Sequence, residues 1–240
     1  MKRLTCSFAF IIAVVSLLAP ECAADDPLAL VLKQEGHTVS LDLKFTKKSQ
    51  SSLEHVIAFL DYGPNGHATG FVVGDGLVMT AYHVVSGDLS AAKKMQLGFA
   101  PKDQLKVKVY INGCQATVIK VDEAADLALL HVCQSQKQAK LAAFQTSLNQ
   151  DEKLLLIARP HGSKTVRRGI FYGLYQLRGQ EYLSAKLDVR DGYSGSPVYN
   201  ERAELVGVFS GYDWSKKLAL ISPGTRAQKM LEEYSGAAHP

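Results

Sequence analysis

The chain has 240 residues, with 27 Lys and Arg against 23 Asp and Glu and a formal net charge of +4. A charged fraction of 21% beside a hydrophobic fraction of 47% excludes disordered and fibrous chains and is enough for a sizeable core. The four excess cations are scattered, and nucleic acid needs a clustered basic face, so no nucleic-acid partner is expected. The densest groups, Lys47-Lys48 with Lys44, Lys93-Lys94 and Arg167-Arg168, read as solvated loops or faces.

Met1-Lys2-Arg3 forms a positive start, Leu4 to Ala19 is almost wholly apolar, and Cys22-Ala23-Ala24 offers small residues before Asp25. That layout is a secretory signal peptide over residues 1–24. The apolar run is shorter than the roughly 20 residues that span a bilayer, and nothing later is longer. A secreted or periplasmic protein with no membrane span after signal removal is therefore expected. Residues 25–50 form a mixed N-terminal extension, for which an extra strand, a partner arm and a propeptide all stay open.

From Ser51 onward, short apolar runs are broken by Gly, Asn and Asp. Val56–Leu60 reads as a strand and Asp61–Gly66 as a turn. Ala68–Val73 and Leu77–Val85 are further strands, separated by Gly74-Asp75-Gly76, and a loop follows at Ser86-Gly87-Asp88. Lys106–Ile111 alternates, Asn112-Gly113 is a strong hairpin turn, and Cys114–Val121 returns. Leu127–Cys133 is a near-continuous apolar strand. After the polar stretch Gln134–Asp151, read as a linker, the rhythm repeats. Its strands are Lys153–Ala158, Gly169–Gln176, Tyr182–Val189, Ser196–Tyr199, Leu205–Ser210 and Lys217–Ile221. Ala227, Met230, Leu231 and Tyr234 then recur at helical spacing, which predicts a packing helix over Thr225–Tyr234. About a dozen short strands predict an all-β domain over residues 51–222, with halves at 51–140 and 150–222, and a helix and tail at 223–240.

Signal removal takes Cys6 and Cys22, leaving Cys114 and Cys133 as an even pair in an oxidising compartment. Both fall on neighbouring antiparallel strands, so a disulfide is predicted. His131 alternates with Cys133, but no further ligand has suitable spacing, and no metal site is expected.

Three motifs carry the chemistry. Thr80-Ala81-Tyr82-His83-Val84-Val85 follows an apolar strand, Asp126 opens Leu127-Ala128-Leu129-Leu130, and Ser194 lies in Gly192-Tyr193-Ser194-Gly195-Ser196-Pro197. Each alone has a bland reading: a structural histidine, a turn carboxylate, a glycine-flanked tight turn. Together they form a mechanism. A serine hydroxyl needs a base to take its proton, histidine suits that role, and a carboxylate fixes the imidazole's tautomer. Gly192 allows the N–H groups of residues 192 and 194 to point at one developing oxyanion. The order His, Asp, Ser on an all-β chain is one known arrangement of such a triad.

On these residues, with Thr69-Gly70-Phe71-Val72-Val73, the Asn112-Gly113 hairpin and Arg159-Pro160-His161-Gly162, the sequence resembles the chymotrypsin-fold, trypsin-like serine proteases. It is more closely similar to the bacterial branch that includes the HtrA-like periplasmic proteases, over about Ser51 to Met230. The resemblance implies two six-stranded antiparallel β-barrels packed face to face, with the site in the cleft between them. It implies His83 as general base, Asp126 as its orienter, Ser194 as nucleophile, and the N–H groups of Gly192 and Ser194 as the oxyanion hole. Asp188, six residues before Ser194, would stand at the floor of the primary specificity pocket; a solvated face of Lys186, Asp188 and Arg190 is the alternative. Gly211 would belong to the strand that pairs with substrate. There are departures too. Tyr193 replaces the aspartate through which animal zymogens are activated, and its bulk is expected to narrow the cleft. Ser196 replaces a common glycine. The sequence ends at Pro240, so the PDZ domain usual in HtrA-like proteins is not expected. An α/β-hydrolase elbow would need a histidine after the serine, and only His239 in the tail follows. The expected function is an exported serine endopeptidase acting on peptide or protein substrates without cofactor or metal. The alternative is a catalytically silent protease-like binding protein. Oligomeric state is left open.

Overall fold

The computed structural model describes residues 27–48, 65–133, 142–145 and 147–238. The signal peptide and the Val56–Leu60 strand lie outside the described residues. A short helix α1 (Pro27–Leu32) precedes a barrel of β1 (Thr38–Lys47), β2 (Asn65–Gly74), β3 (Leu77–Ala81), β4 (Leu105–Ile111), β5 (Cys114–Asp122) and β6 (Leu127–His131). These run in the order β1-β2-β3-β6-β5-β4 and close through β4 onto β1. The second barrel contains β7 (Lys153–Ala158), β8 (Thr165–Leu177), β9 (Gln180–Leu187), β10 (Pro197–Asn200), β11 (Leu205–Asp213) and β12 (Leu218–Pro223). Its order is β10-β11-β12-β9-β8-β7, closed through β7 onto β10. Every neighbouring pair in both barrels is antiparallel.

Closure removes the exposed edges that open sheets must protect. It also decides the role of the N-terminal extension. Leu41, Leu43 and Phe45 alternate inward along β1 and are buried, while Asp42 between them faces solvent. Residues 38–47 are thus a barrel strand, and the first barrel begins at Thr38 rather than at residue 51. The Asn112-Gly113 turn has both residues in the left-handed region, at φ 51° and 79°, which matches the twist of the flanking strands.

The Leu77–Val85 strand ends earlier than its β-branched residues suggest. After Ala81 the chain coils into α2 (Tyr82–Ser86), which stops at Gly87 in the left-handed conformation. The polypeptide turns there because its first N–H groups find acceptors on Asp126, far away in sequence. A third short helix, α3 (Ala91–Gln96), is capped by the Ser90 hydroxyl accepting from the Lys93 N–H. The linker is partly docked: Gln145 donates its N–H to Leu205, Leu205 donates to Ala143, and Phe144 bridges to Leu205.

The barrels pack face to face through one shared apolar cluster. Phe71, Met79, Leu127 and Leu129 from the first meet Leu155, Ile157, Tyr199, Leu205 and Val208 from the second. Ala227 and Met230 of the C-terminal helix α4 (Gly224–Ala238) and Val31 of α1 close that cluster. Burial on this scale, at about 25 cal/mol per Å² of apolar surface, holds the cleft walls in one relation. Among the described residues no helix is long and apolar enough to cross a membrane.

Cys114 and Cys133 are joined, with Cα atoms 6.2 Å apart, tying the start of β5 to the chain just past β6. Closing a loop of 19 residues stabilises the fold by about 3 kcal/mol. Peptide mapping of the non-reduced protein is expected to recover the two cysteine peptides linked. Two alkylatable thiols would overturn that pairing.

Candidate active site

His83 from the helix α2, Asp126 from a turn and Ser194 from a loop meet where the barrels face each other. Asp126 sits in the turn between β5 and β6 at φ 52°, a left-handed conformation that aspartate tolerates. The turn is shaped by the Ala125 N–H donating to Asp122 Oδ1 at 3.0 Å and by the Ser222 hydroxyl donating to the Ala125 carbonyl. The Tyr82 hydroxyl donates to Glu123 at 2.9 Å, and that bond, more than burial, holds the phenol above its ordinary range.

Asp126 then organises the histidine twice over. Its backbone carbonyl accepts the Tyr82 N–H at 3.0 Å and its Oδ1 accepts the His83 N–H at 2.8 Å, so it caps α2. Its Oδ2 faces His83 Nδ1 at 2.8 Å. An ionised carboxylate only accepts, so the imidazole proton stands on Nδ1 and Nε2 presents a lone pair. Ser194 Oγ lies 2.9 Å from that Nε2 and donates to it. The carboxylate side chain is 12% exposed against 39% for the imidazole, which shields the first from water and leaves the second open to the cleft.

Ser194 is fixed from both barrels. Its carbonyl accepts the Thr69 N–H at 2.9 Å, and the next residue, Gly195, donates to Phe209 at 2.8 Å. Gly192 and Gly195 stand at φ 88° and 81°, and a Cβ on Gly192 would meet Pro160 at 2.9 Å. The Gly192 carbonyl accepts the Thr69 hydroxyl at 2.9 Å, and Thr69 Oγ1 in turn accepts the Arg159 N–H at 3.0 Å. Among the described residues, neither the Gly192 N–H nor the Ser194 N–H donates to a protein acceptor. The two donors expected for an oxyanion are therefore unspent.

Sequence reasoning missed Ser210 and Thr69 as parts of this site. Ser210 reads as the last residue of an ordinary strand, but β11 continues to Asp213 across a bulge between Phe209 and Gly211. A bulge re-aims a side chain, and here the Ser210 hydroxyl donates to Asp126 Oδ2. Tyr182 borders this bond, and its phenol is pushed up by burial first and by the Asp126 charge second. β10 accompanies β11 only as far as Val208, so on the side away from β12 the edge from Ser210 to Asp213 has no partner strand among the described residues. Gly211 lies on that edge, with open space where a Cβ would stand.

Two expectations are corrected. Asp188 does not form an enclosed floor: its side chain is 72% exposed and lies 3.9 Å from Arg167 Nε, as the solvated-face alternative describes. Tyr193 does not narrow the cleft, because its ring is buried among Leu154, Leu156, Phe171 and Val198 of the second barrel. No group of three or more His, Cys, Asp or Glu among the described residues is placed to hold a metal ion.

Residues 68–208 match the family described as trypsin-like peptidase domain. Serine protease HTRA3 of Homo sapiens is 26% identical over 185 residues, covering 71% of this chain and 38% of that protein. The magnetosome formation protease MamE of Magnetospirillum gryphiswaldense is 28% identical over 149 residues, 58% of this chain and 18% of that protein. The chain thus spans well under half the length of these relatives. Among solved structures, the active form of the Rv3671c protease from M. tuberculosis superposes with a TM-score of 0.60 at 19% identity. That likeness covers 85% of this chain and 82% of the other, and at such identity it speaks to fold alone. With the family match spanning more than half its length and the two barrels described above, the chain belongs to the trypsin-like serine peptidases of chymotrypsin fold.

Proposed function

We propose that this protein is an exported serine endopeptidase that cleaves peptide bonds through an acyl-enzyme at Ser194. The observation that carries the reading is the unbroken hydrogen-bond chain from Asp126 through His83 to Ser194, at 2.8 and 2.9 Å. In the first step Ser194 Oγ bonds to the scissile carbonyl carbon while its proton passes to His83 Nε2. The carbonyl oxygen becomes anionic and takes hydrogen bonds from the Gly192 and Ser194 N–H groups. Collapse breaks the C–N bond, the leaving amine takes the proton from His83, and Ser194 keeps the acyl group. Water activated by the same imidazole then releases the acid and restores the serine. Asp126 stays ionised and steadies the imidazolium in both halves.

The free edge from Ser210 to Asp213 supports substrate entering as an added strand, with main-chain bonds supplying affinity. Gly211 leaves that edge open for the peptide. The signal-peptide layout of residues 1–24 and the Cys114–Cys133 disulfide support export.

A fluorophosphonate probe tests the reading. Label on Ser194 alone, absent from Ser194→Ala, is the expected result. Folded protein that takes no label would sink it in favour of a silent, partner-binding relative. Ser210→Ala is expected to slow labelling between about 10- and 100-fold, because it removes one bond to a shielded carboxylate. Unchanged labelling would show that Asp126 is held well enough by His83 alone.

A further inference from the structure

The segment from Asp188 to Ser194 carries both oxyanion donors, yet it lies in no strand or helix. Something must hold it, and the aspartate that anchors it in animal enzymes is Tyr193 here. The contacts along the segment are unevenly placed. Asp191 pairs with Lys93 of α3 at 3.0 Å, but the carboxylate side chain is 89% exposed, which makes a weak tie. Gly192 is held through its carbonyl by Thr69.

Asp188 at one end of the segment and Tyr193 beside the other share one partner, Arg167 of β8. Its guanidinium carbon stands 5.9 Å from the centre of the Tyr193 ring, and its Nε lies 3.9 Å from Asp188 Oδ2. Arg167 is itself placed by pairing with Leu156 of β7 in the closed barrel. Its Nε is shut off from water and makes no hydrogen bond among the described residues, so the nearby Asp188 carboxylate is the charge that offsets it. The Tyr193 ring is sunk in the barrel core beneath, next to Leu156 and Leu187.

We propose that Arg167 is a positioning residue for Ser194, one cation that clamps Asp188 and Tyr193 together and so keeps the oxyanion segment set without an inserted N-terminus. This rests on the peptidase reading above. Apolar contacts set how deep the Tyr193 ring sits; the guanidinium decides whether the backbone on either side of it stays turned toward the cleft. A cation over a ring and an ion pair are each modest, and losing both slows Ser194 about ten-fold. An exposed neighbour, Arg168, has no such contacts among the described residues and serves as control.

The test compares wild type, Arg167→Met, Arg167→Lys and Arg168→Met by two readouts. One is the concentration dependence of fluorophosphonate labelling, the other hydrogen–deuterium exchange. In Arg167→Met the maximal labelling rate is expected to fall about ten-fold with the half-saturating concentration unchanged, and exchange to quicken over residues 188–194 alone. Arg167→Lys keeps the cation over the ring but not the planar fork, and is expected to recover part of the loss. Arg168→Met matches wild type. Labelling and exchange equal to wild type in Arg167→Met would overturn the clamp. So would loosening spread across β7 to β10, which would mark a merely structural arginine. Wild type that takes no label overturns the nucleophile assignment instead, and exchange then decides by itself whether Arg167 holds the segment.

Discussion

Ser194→Ala is expected to lower peptide turnover by about 10⁴- to 10⁶-fold while leaving the fold intact. The size follows from the geometry. Removing Oγ deletes the atom 2.9 Å from His83 Nε2 that is proposed to bond to the carbonyl carbon, and no second hydroxyl faces that nitrogen among the described residues. Asp126 and His83 remain bonded to each other, and the Gly192 and Ser194 N–H groups remain in place. What survives should be the residual rate that substrate binding and the proposed oxyanion donors supply. The fold should not notice, because Ser194 is held by its backbone, through the Thr69 N–H, rather than by its hydroxyl. Steady-state kinetics on a peptide library, beside a thermal melt, checks both halves. A variant that melts with wild type and still cleaves at more than about a hundredth of its rate would refute the triad.

Gly195→Ala is expected to be the most damaging single methyl group near the site. A Cβ there would stand 2.1 Å from Thr80 Oγ1 and 2.2 Å from the Thr69 carbonyl oxygen, and φ is 81°. Neither neighbour can give way. Thr69 and Thr80 are completely buried, and the Thr80 hydroxyl donates to that same Thr69 carbonyl at 2.8 Å. The left-handed backbone costs an L-residue about 1–2 kcal/mol and overpacking adds about 1–3 kcal/mol. The sum, roughly 2–5 kcal/mol, is a large part of the 5–15 kcal/mol typical of a whole domain. Because the clash lies between β2, β3 and the residue after Ser194, relaxation would drag the Ser194 hydroxyl away from His83. Thermal unfolding should move down by about 5–20 °C, with probe labelling lost at temperatures where the protein is still folded. A variant with wild-type melting and labelling would show that the barrels yield more readily than this packing implies.

The motifs were legible in the sequence because their chemistry is local. The Gly192-x-Ser194-Gly195 turn needs left-handed backbone at both glycines, and both adopt it. The apolar run of Leu127 to Leu130 had to be a strand buried on both faces, and it is completely buried. The Asn112-Gly113 hairpin is read from two residues. Less was legible where a distant partner decides. Tyr82 to Val85 reads as strand by its β-branched valines, yet Asp126 caps the first N–H groups and a helical turn results. Ser210 reads as an unremarkable strand end, and only the bulge in β11 directs its hydroxyl to Asp126. Tyr193 looked like an obstacle in the cleft because a sequence does not say which way a turn residue points; the second barrel's core had room for the ring.

By itself the sequence determined which residue types could do the chemistry and which stretches were strands, since alternation and turn residues act over a few positions. It did not determine where the first barrel begins. Residues 38–47 became a strand because a barrel needs β1 to pair with both β2 and β4, a condition met only on closure. The distances that make His83, Asp126 and Ser194 one unit were likewise decided by the apolar cluster between the barrels, because only burial across that face brings a helix, a turn and a loop at 83, 126 and 194 to within a hydrogen bond of one another.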